Sequence, residues 1–275
     1  MRPQIGHIQF LNCLPLYHML VKQDVMPDID LHKDTPTALC KRLVSGDLDI
    51  SPVPAIEYAR HADELILLPD LAVCSDGKVL SIIVVSKSPI NELDKKPFAL
   101  TNTSATSQVL AKIILKKKYN IEPEYFECPS DLPEMLREAE AALLIGDDAL
   151  RVFVKPSRFH LYDLGEQWKA YTHEKMVYAV WAVRRDYAEK NPVVISEIFR
   201  AFQISKERSL EQMGSIVKEI SKLEIFSEVF LKEYFSSLMF DLDESFQAGL
   251  IQYYQMAKEI GAIETVPELK FVNIK

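Results

Sequence analysis

Apolar and polar positions alternate over residues 4–10, the period of a half-buried strand. The spacing turns helical over residues 14–22, with Pro15 in the first turn, where a missing N–H costs nothing. Residues 30–33 read as a second strand. Thr35 followed by Pro36 is an N-cap signature, and the helix it opens runs to Ser45-Gly46. A strand at 48–53 and a helix from about 55 to 64 complete a β-α-β-α-β-α run, the sign of a parallel sheet covered by helices.

Apolar strands follow at 66–73 and 79–86, around a turn at Ser75-Asp76-Gly77. A second unit of the same kind then begins with a strand at 97–100 and a helix at 104–119. That helix ends on Lys116-Lys117-Lys118, where cations suit the helix dipole. A strand at 123–126, a helix at 132–138 and a short apolar strand at 141–145 lead to Gly146-Asp147. A helical turn, a strand near 158–163 and another at 177–183 follow. Beyond Asp186 the spacing of Ile195, Ile198, Phe202, Ile216, Ile220, Phe230 and Leu250 is helical to about residue 260.

Two α/β units and a helical tail predict an α/β, two-lobed protein. Lobe one takes residues 1–85 plus 180–275; lobe two, residues 86–179, is inserted between two crossing strands. A ligand would sit in a central cleft, where the C-terminal ends of both sheets' strands face each other. This is the architecture of periplasmic binding proteins of the second type.

Composition narrows the function. A chain of 275 residues that is 48% hydrophobic buries a substantial core, which excludes disorder. A net charge of −8 disfavours nucleic acid, which needs a basic face. It does not forbid a small anion, because backbone N–H groups hold a carboxylate whatever the net charge. No stretch approaches the roughly 18 apolar residues of a membrane span. Met1-Arg2-Pro3-Gln4 leads into the first strand with no apolar leader, so a cytoplasmic protein without a membrane partner is expected. Cys13, Cys40, Cys74 and Cys128 are widely spaced and read as free thiols. The six histidines show no ligand spacing, so neither metal nor cofactor is expected. G-x-S-x-G and G-x-G-x-x-G are both absent, against an α/β-hydrolase and a dinucleotide site.

Four segments could carry chemistry. Asn12 lies between a strand and a helix, where its amide can donate and accept at once; the plainer reading is an Asx cap. Thr101-Asn102-Thr103-Ser104-Ala105-Thr106-Ser107 stands directly before a helix. Its hydroxyls and the free N–H groups of the helix start make a carboxylate or phosphate cradle, or else a capping loop with spare hydroxyls. Gly146 permits close backbone approach, and Asp147 either caps the next helix or touches a ligand hydroxyl. Ser81 lies early in a strand that crosses between the lobes, where a serine is usually solvated or bonded to backbone.

Taken together these segments resemble one family, chorismate dehydratase of the futalosine route to menaquinone. The likeness starts at Gly6-His7-Ile8-Gln9-Phe10-Leu11-Asn12-Cys13-Leu14-Pro15-Leu16-Tyr17. It continues in order through Lys33-Asp34-Thr35-Pro36, Gly46-Asp47-Leu48-Asp49-Ile50, Thr103-Ser104-Ala105-Thr106-Ser107 and Ile145-Gly146-Asp147. It ends with Tyr162-Asp163-Leu164-Gly165-Glu166-Gln167-Trp168 and Tyr178-Ala179-Val180-Trp181-Ala182. The resemblance implies the binding-protein fold and conversion of chorismate to 3-[(1-carboxyvinyl)oxy]benzoate and water. It implies functional positions at Asn12 and Ser81, with Thr103, Ser104, Thr106, Ser107, Gly146 and Asp147 on the substrate. One stretch departs from the family: where its members read Thr-Gly-Leu-Pro-Phe-Val, this chain reads Thr172-His173-Glu174-Lys175-Met176-Val177, so polar side chains enter near the hinge. The rival class is a non-catalytic binding or sensing module for a small carboxylate. The expected assembly is a monomer or homodimer.

Overall fold

The computed structural model describes residues 2–22, 28–154 and 158–274. Two five-stranded sheets organise it. The first takes β1 (Gln4–Ile8), β2 (Asp30–Asp34), β3 (Ile50–Pro54), β4 (Leu65–Ser75) and β10 (Met176–Arg184), in the order β2-β1-β3-β10-β4. The second takes β5 (Ile82–Ser86), β6 (Pro97–Thr101), β7 (Glu124–Cys128), β8 (Ala141–Ile145) and β9 (His160–Asp163), in the order β7-β6-β8-β5-β9.

In each sheet four strands run one way and a single strand runs the other. β1 pairs parallel with β2 and β3, whereas β10 is antiparallel to both β3 and β4. β6 pairs parallel with β7 and β8, whereas β5 is antiparallel to β8 and β9. The sheets are therefore mixed, and not wholly parallel as the alternating pattern predicts. The antiparallel strands are those through which the chain passes from one sheet to the other. β5 belongs to the second sheet and β10 to the first, so the chain changes sheet at residues 76–81 and again just before Met176. The boundaries at 85 and 180 cut through or behind these strands, because apolar runs do not reveal which sheet they join.

The helices form where their signals stand. α1 (Leu14–Lys22) follows a single 3-10 turn, and α2 (Pro36–Ser45) is capped by Thr35, whose hydroxyl accepts the Ala38 N–H at 3.4 Å. α3 (Ala55–Arg60) follows β3. In the second unit, α4 (Ala105–Ile113) widens into a π-helical stretch at Ile114–Lys118, so the helix expected over 104–119 is two pieces. α5 (Leu132–Glu138) is capped by Asp131. α6 (Gly146–Val154) is a nine-residue helix where a single turn is expected, and α7 (Leu164–Thr172) is capped by Asp163. Neither is long enough to impose a clear period on the sequence.

The tail is helical as expected: α8 (Arg185–Lys190), α9 (Pro192–Glu211), α10 (Met213–Ile220), α11 (Glu228–Ser237) and α12 (Glu244–Glu259). α9 packs on α1, and α12 lies against β10, α3 and α4. The larger core takes in side chains from both sheets and the tail, with Trp168, Trp181, Tyr17, Phe202 and Phe240 fully buried. A smaller cluster around Ile83, Ala99, Met135 and Leu144 fills the outer face of the second sheet.

Candidate functional site

The parallel strands β1 and β3 of one sheet, and β6 and β8 of the other, all end toward the junction of the two lobes. Backbone N–H groups of the first lobe reach across that junction at two points. The Leu11 N–H donates to Asp147 Oδ1 at 3.1 Å, joining the end of β1 to the end of β8. The Ile56 N–H donates to Thr106 Oγ1 at 3.1 Å, joining the start of α3 to the start of α4.

After β1, Phe10 is extended and Leu11–Cys13 form the 3-10 turn before α1. The half-buried Asn12 side chain does not cap this turn: its Oδ1 is buried with no hydrogen-bond partner. A buried amide oxygen left empty costs about 1–3 kcal/mol. Cys13 beside it is fully buried, and burial, then the Asp147 charge, push its thiol far up, so it is no nucleophile.

Gly146 and Asp147 face this turn. Gly146 has φ +59, and a Cβ there would stand 2.9 Å from the Phe10 ring, so only glycine lets β8 end this close to the first lobe. Its N–H donates to the Ser81 carbonyl at 2.8 Å. Asp147 lies in the first turn of α6, but its carboxylate reaches across to Leu11. Burial raises the Asp147 carboxyl to about 6; the Leu11 N–H and Arg151 pull it down, and Glu224 and Asp148 push it up.

Ser81 stands in the link between β4 and β5, 1% exposed. Leu80 before it has φ +62, and the Ser81 N–H donates back to the Val79 carbonyl at 2.7 Å. This is a γ-turn of the rare, strained hand. One carboxylate holds it. Asp163 accepts the Leu80 N–H at 2.6 Å and the Val79 N–H at 3.0 and 3.2 Å, and caps α7 through the Glu166 N–H at 3.0 Å. Burial raises the Asp163 carboxyl, against the pull of these three N–H groups. The sequence marks Asp163 only as a helix-cap type, so its grip on the Ser81 turn, some 80 residues upstream, is a finding of the fold.

The hydroxyl-rich segment is a helix start, as expected. Ser104 caps α4, and its hydroxyl and that of Ser107 lie 3.0 Å apart. Thr103 pairs with Thr101 at 2.9 Å. The Thr106 hydroxyl receives the Ile56 N–H, so its acceptor faces the other lobe. Two tail tyrosines pin both helix starts: the Tyr253 O–H donates to the Thr106 carbonyl and the Tyr254 O–H to the Ala55 carbonyl. Another tail residue, Tyr234 on α11, is fully buried near Ser81 and Asp147. Sequence reasoning missed it, because nothing local distinguishes it from the aromatic residues that carry the helix period.

The departing stretch lies at the end of α7. His173 takes the left-handed C-cap position at φ 64, its N–H on the Lys169 carbonyl. The Lys175 ammonium donates to Ser245 Oγ at 2.7 Å and sits 4.5 Å from the Phe246 ring centre, while its carbonyl accepts the Trp168 indole N–H. The Lys175 side chain is thus spent on the start of α12.

Among the described residues no group of three or more His, Cys, Asp or Glu could hold a metal ion, and no helix is long and apolar enough to cross a membrane. A family profile described as menaquinone biosynthesis matches residues 3–259. A chorismate dehydratase of Thermus thermophilus is 29% identical over 266 residues, covering 91% of this chain and 93% of that protein. Among solved structures, a protein of Archaeoglobus fulgidus superposes with a TM-score of 0.79 at 21% identity, over 95% of this chain and 98% of that one. The periplasmic aliphatic sulphonate binding protein of Escherichia coli superposes with a TM-score of 0.66 at 14% identity, over 100% and 94%. The two-lobed binding-protein fold expected from the sequence is therefore the fold observed.

Proposed function

The chain belongs to the menaquinone biosynthesis family, and from that premise we propose that it is a chorismate dehydratase, a hydro-lyase that turns chorismate into 3-[(1-carboxyvinyl)oxy]benzoate and water. The observation that carries this reading is the convergence of Asn12, Ser81 and Asp147 where the Leu11–Asp147 hydrogen bond bridges the lobes, with the Asn12 oxygen buried and unsatisfied. The similarity to the Thermus thermophilus enzyme over nine-tenths of the chain supports the choice of substrate.

Chorismate bears a ring carboxylate, an enolpyruvyl ether and an allylic hydroxyl on a cyclohexadiene. Loss of the C3 proton and the C4 hydroxyl makes a benzene ring, and aromatisation drives the reaction. The C3 proton is vinylogous to the ring carboxylate, so negative charge moves into that carboxylate as the proton leaves. Donors at the start of α4, from Thr103, Ser104, Thr106 and Ser107, stabilise this charge more in the transition state than in the ground state. Asn12 orients the substrate and hydrogen-bonds the departing hydroxyl, and Ser81 fixes an oxygen beside it.

The C3 proton goes to the substrate's own enolpyruvyl carboxylate. The C–H electron pair enters the ring, the C4–O bond breaks, and the departing hydroxide takes that proton from the carboxyl group to leave as water. Asp147 serves closure, since its carboxylate already receives the Leu11 N–H. Closure excludes water and strengthens each of these hydrogen bonds. A cytoplasmic location fits this reading.

The test is incubation of the purified protein with chorismate, without added metal or cofactor, followed by mass spectrometry. An aromatic product one water lighter, lost in Asn12→Ala, is expected. Chorismate binding with no product would replace the enzyme by a sensing module.

A further inference from the structure

Tyr234 carries a polar group that the fold does not use. It stands on α11 with its side chain fully buried. Buried tyrosine hydroxyls ordinarily find a partner, yet this one has none. Ser81 is near enough to act on it as a hydrogen-bonding neighbour, without the pair reaching bond geometry, and Asp147 and Cys13 act on it through their charge. The second orphaned oxygen of this neighbourhood is Asn12 Oδ1, one residue from Cys13. An acceptor and a phenol are thus both left empty where the Leu11–Asp147 bridge closes the lobes. Core packing does not account for this, because a phenylalanine would fill the same space without burying a hydroxyl.

We propose that Tyr234 touches the substrate, its phenolic O–H donating a hydrogen bond to the same ligand oxygen that Ser81 binds. The inference rests on the dehydratase reading for the identity of that ligand. Burial and the Asp147 charge both push the phenol upward, so it is a neutral donor across the physiological range. A donor of this kind strengthens as charge builds on its acceptor, and it transfers no proton. The tail helices, which pack on the first lobe and brace the start of α4, then contribute a group to the site.

Tyr234→Phe removes the hydroxyl and little else. Because that hydroxyl has no partner in the free protein, the variant is expected to melt at or above the wild-type temperature. Its kcat/KM for chorismate is expected to fall about 10- to 100-fold, mostly in kcat. A Tyr234→Phe protein with unchanged kcat and KM would overturn the proposal. So would one that loses both activity and melting temperature, since the hydroxyl would then be holding the fold. Should wild-type protein leave chorismate intact, the dehydratase reading falls, and chorismate titration of both proteins decides the rest. Weaker binding by Tyr234→Phe keeps the contact, and equal binding removes it.

Discussion

His173 holds a left-handed backbone position without being glycine, and the cost is local. A side chain at φ 64 places Cβ against the following carbonyl, a strain of about 1 kcal/mol that glycine does not feel. His173→Gly is therefore expected to raise the free energy of unfolding in urea by that amount and leave chorismate turnover unchanged. Asp163 presents the opposite case, one carboxylate serving three backbone N–H groups. In Asp163→Asn, one acceptor oxygen remains where the turn and the α7 cap together use two. A loss of about 2 kcal/mol of stability is expected, with a drop in kcat. Because Asp163 acts through Ser81, the double variant with Ser81→Ala should lose no more activity than Ser81→Ala alone; additive losses would show that the turn is not its route.

At the scale of elements, the start of α6 carries a group that responds to pH. The Asp147 carboxyl is raised from its ordinary value of 3.8 to about 6, burial being the main cause. A raised acid favours the folded state fully below pH 3.8 and loses that contribution as pH rises through about 6. Arg151, Asp148 and Glu224 act on it by charge; of these Arg151 and Asp148 are exposed and already paired with each other. Asp147→Asn keeps an oxygen for the Leu11 N–H and cannot ionise. Its stability relative to wild type is expected to climb between pH 4 and pH 7 by up to about 3 kcal/mol, then level off. A flat difference in thermal melts across that range would show that Asp147 ionises without penalty. Elements of this kind were largely legible in the sequence. Thr35, Ser104 and the Gly146-Asp147 turn announce themselves by residue type beside a change of period. α7 does not, because its nine residues bury only Leu164, Gly165 and Trp168.

For the whole molecule, what the sequence left unread is what depends on distant pairing. The apolar run ending at Ser86 predicts a strand but not its sheet, and nothing near Tyr234 or Asp163 points to Ser81. The cleft itself was legible, since the same strand-to-helix turns recur in both units. Its closeness depends on Gly146, where a Cβ would meet the Phe10 ring. Gly146→Ala is expected to keep both sheets, hold the lobes apart and reduce kcat/KM for chorismate at least tenfold, with a wider ligand-bound scattering profile. A ligand-bound profile as narrow as that of wild type would mean that the ring yields instead.

The exchange of strands also sets an order of assembly during synthesis. β5 through β9 lie consecutively between Ile82 and Asp163, so the second sheet has all its strands once that stretch has left the ribosome. The first sheet does not. β10 lies between β3 and β4, and it is made only after the entire second sheet. Until then β1–β3 and β4 wait as two separate edges, for seconds at ordinary translation speeds of about 5–20 residues per second. The younger half of the chain thus matures first, and the N-terminal half, which carries Asn12, is completed last.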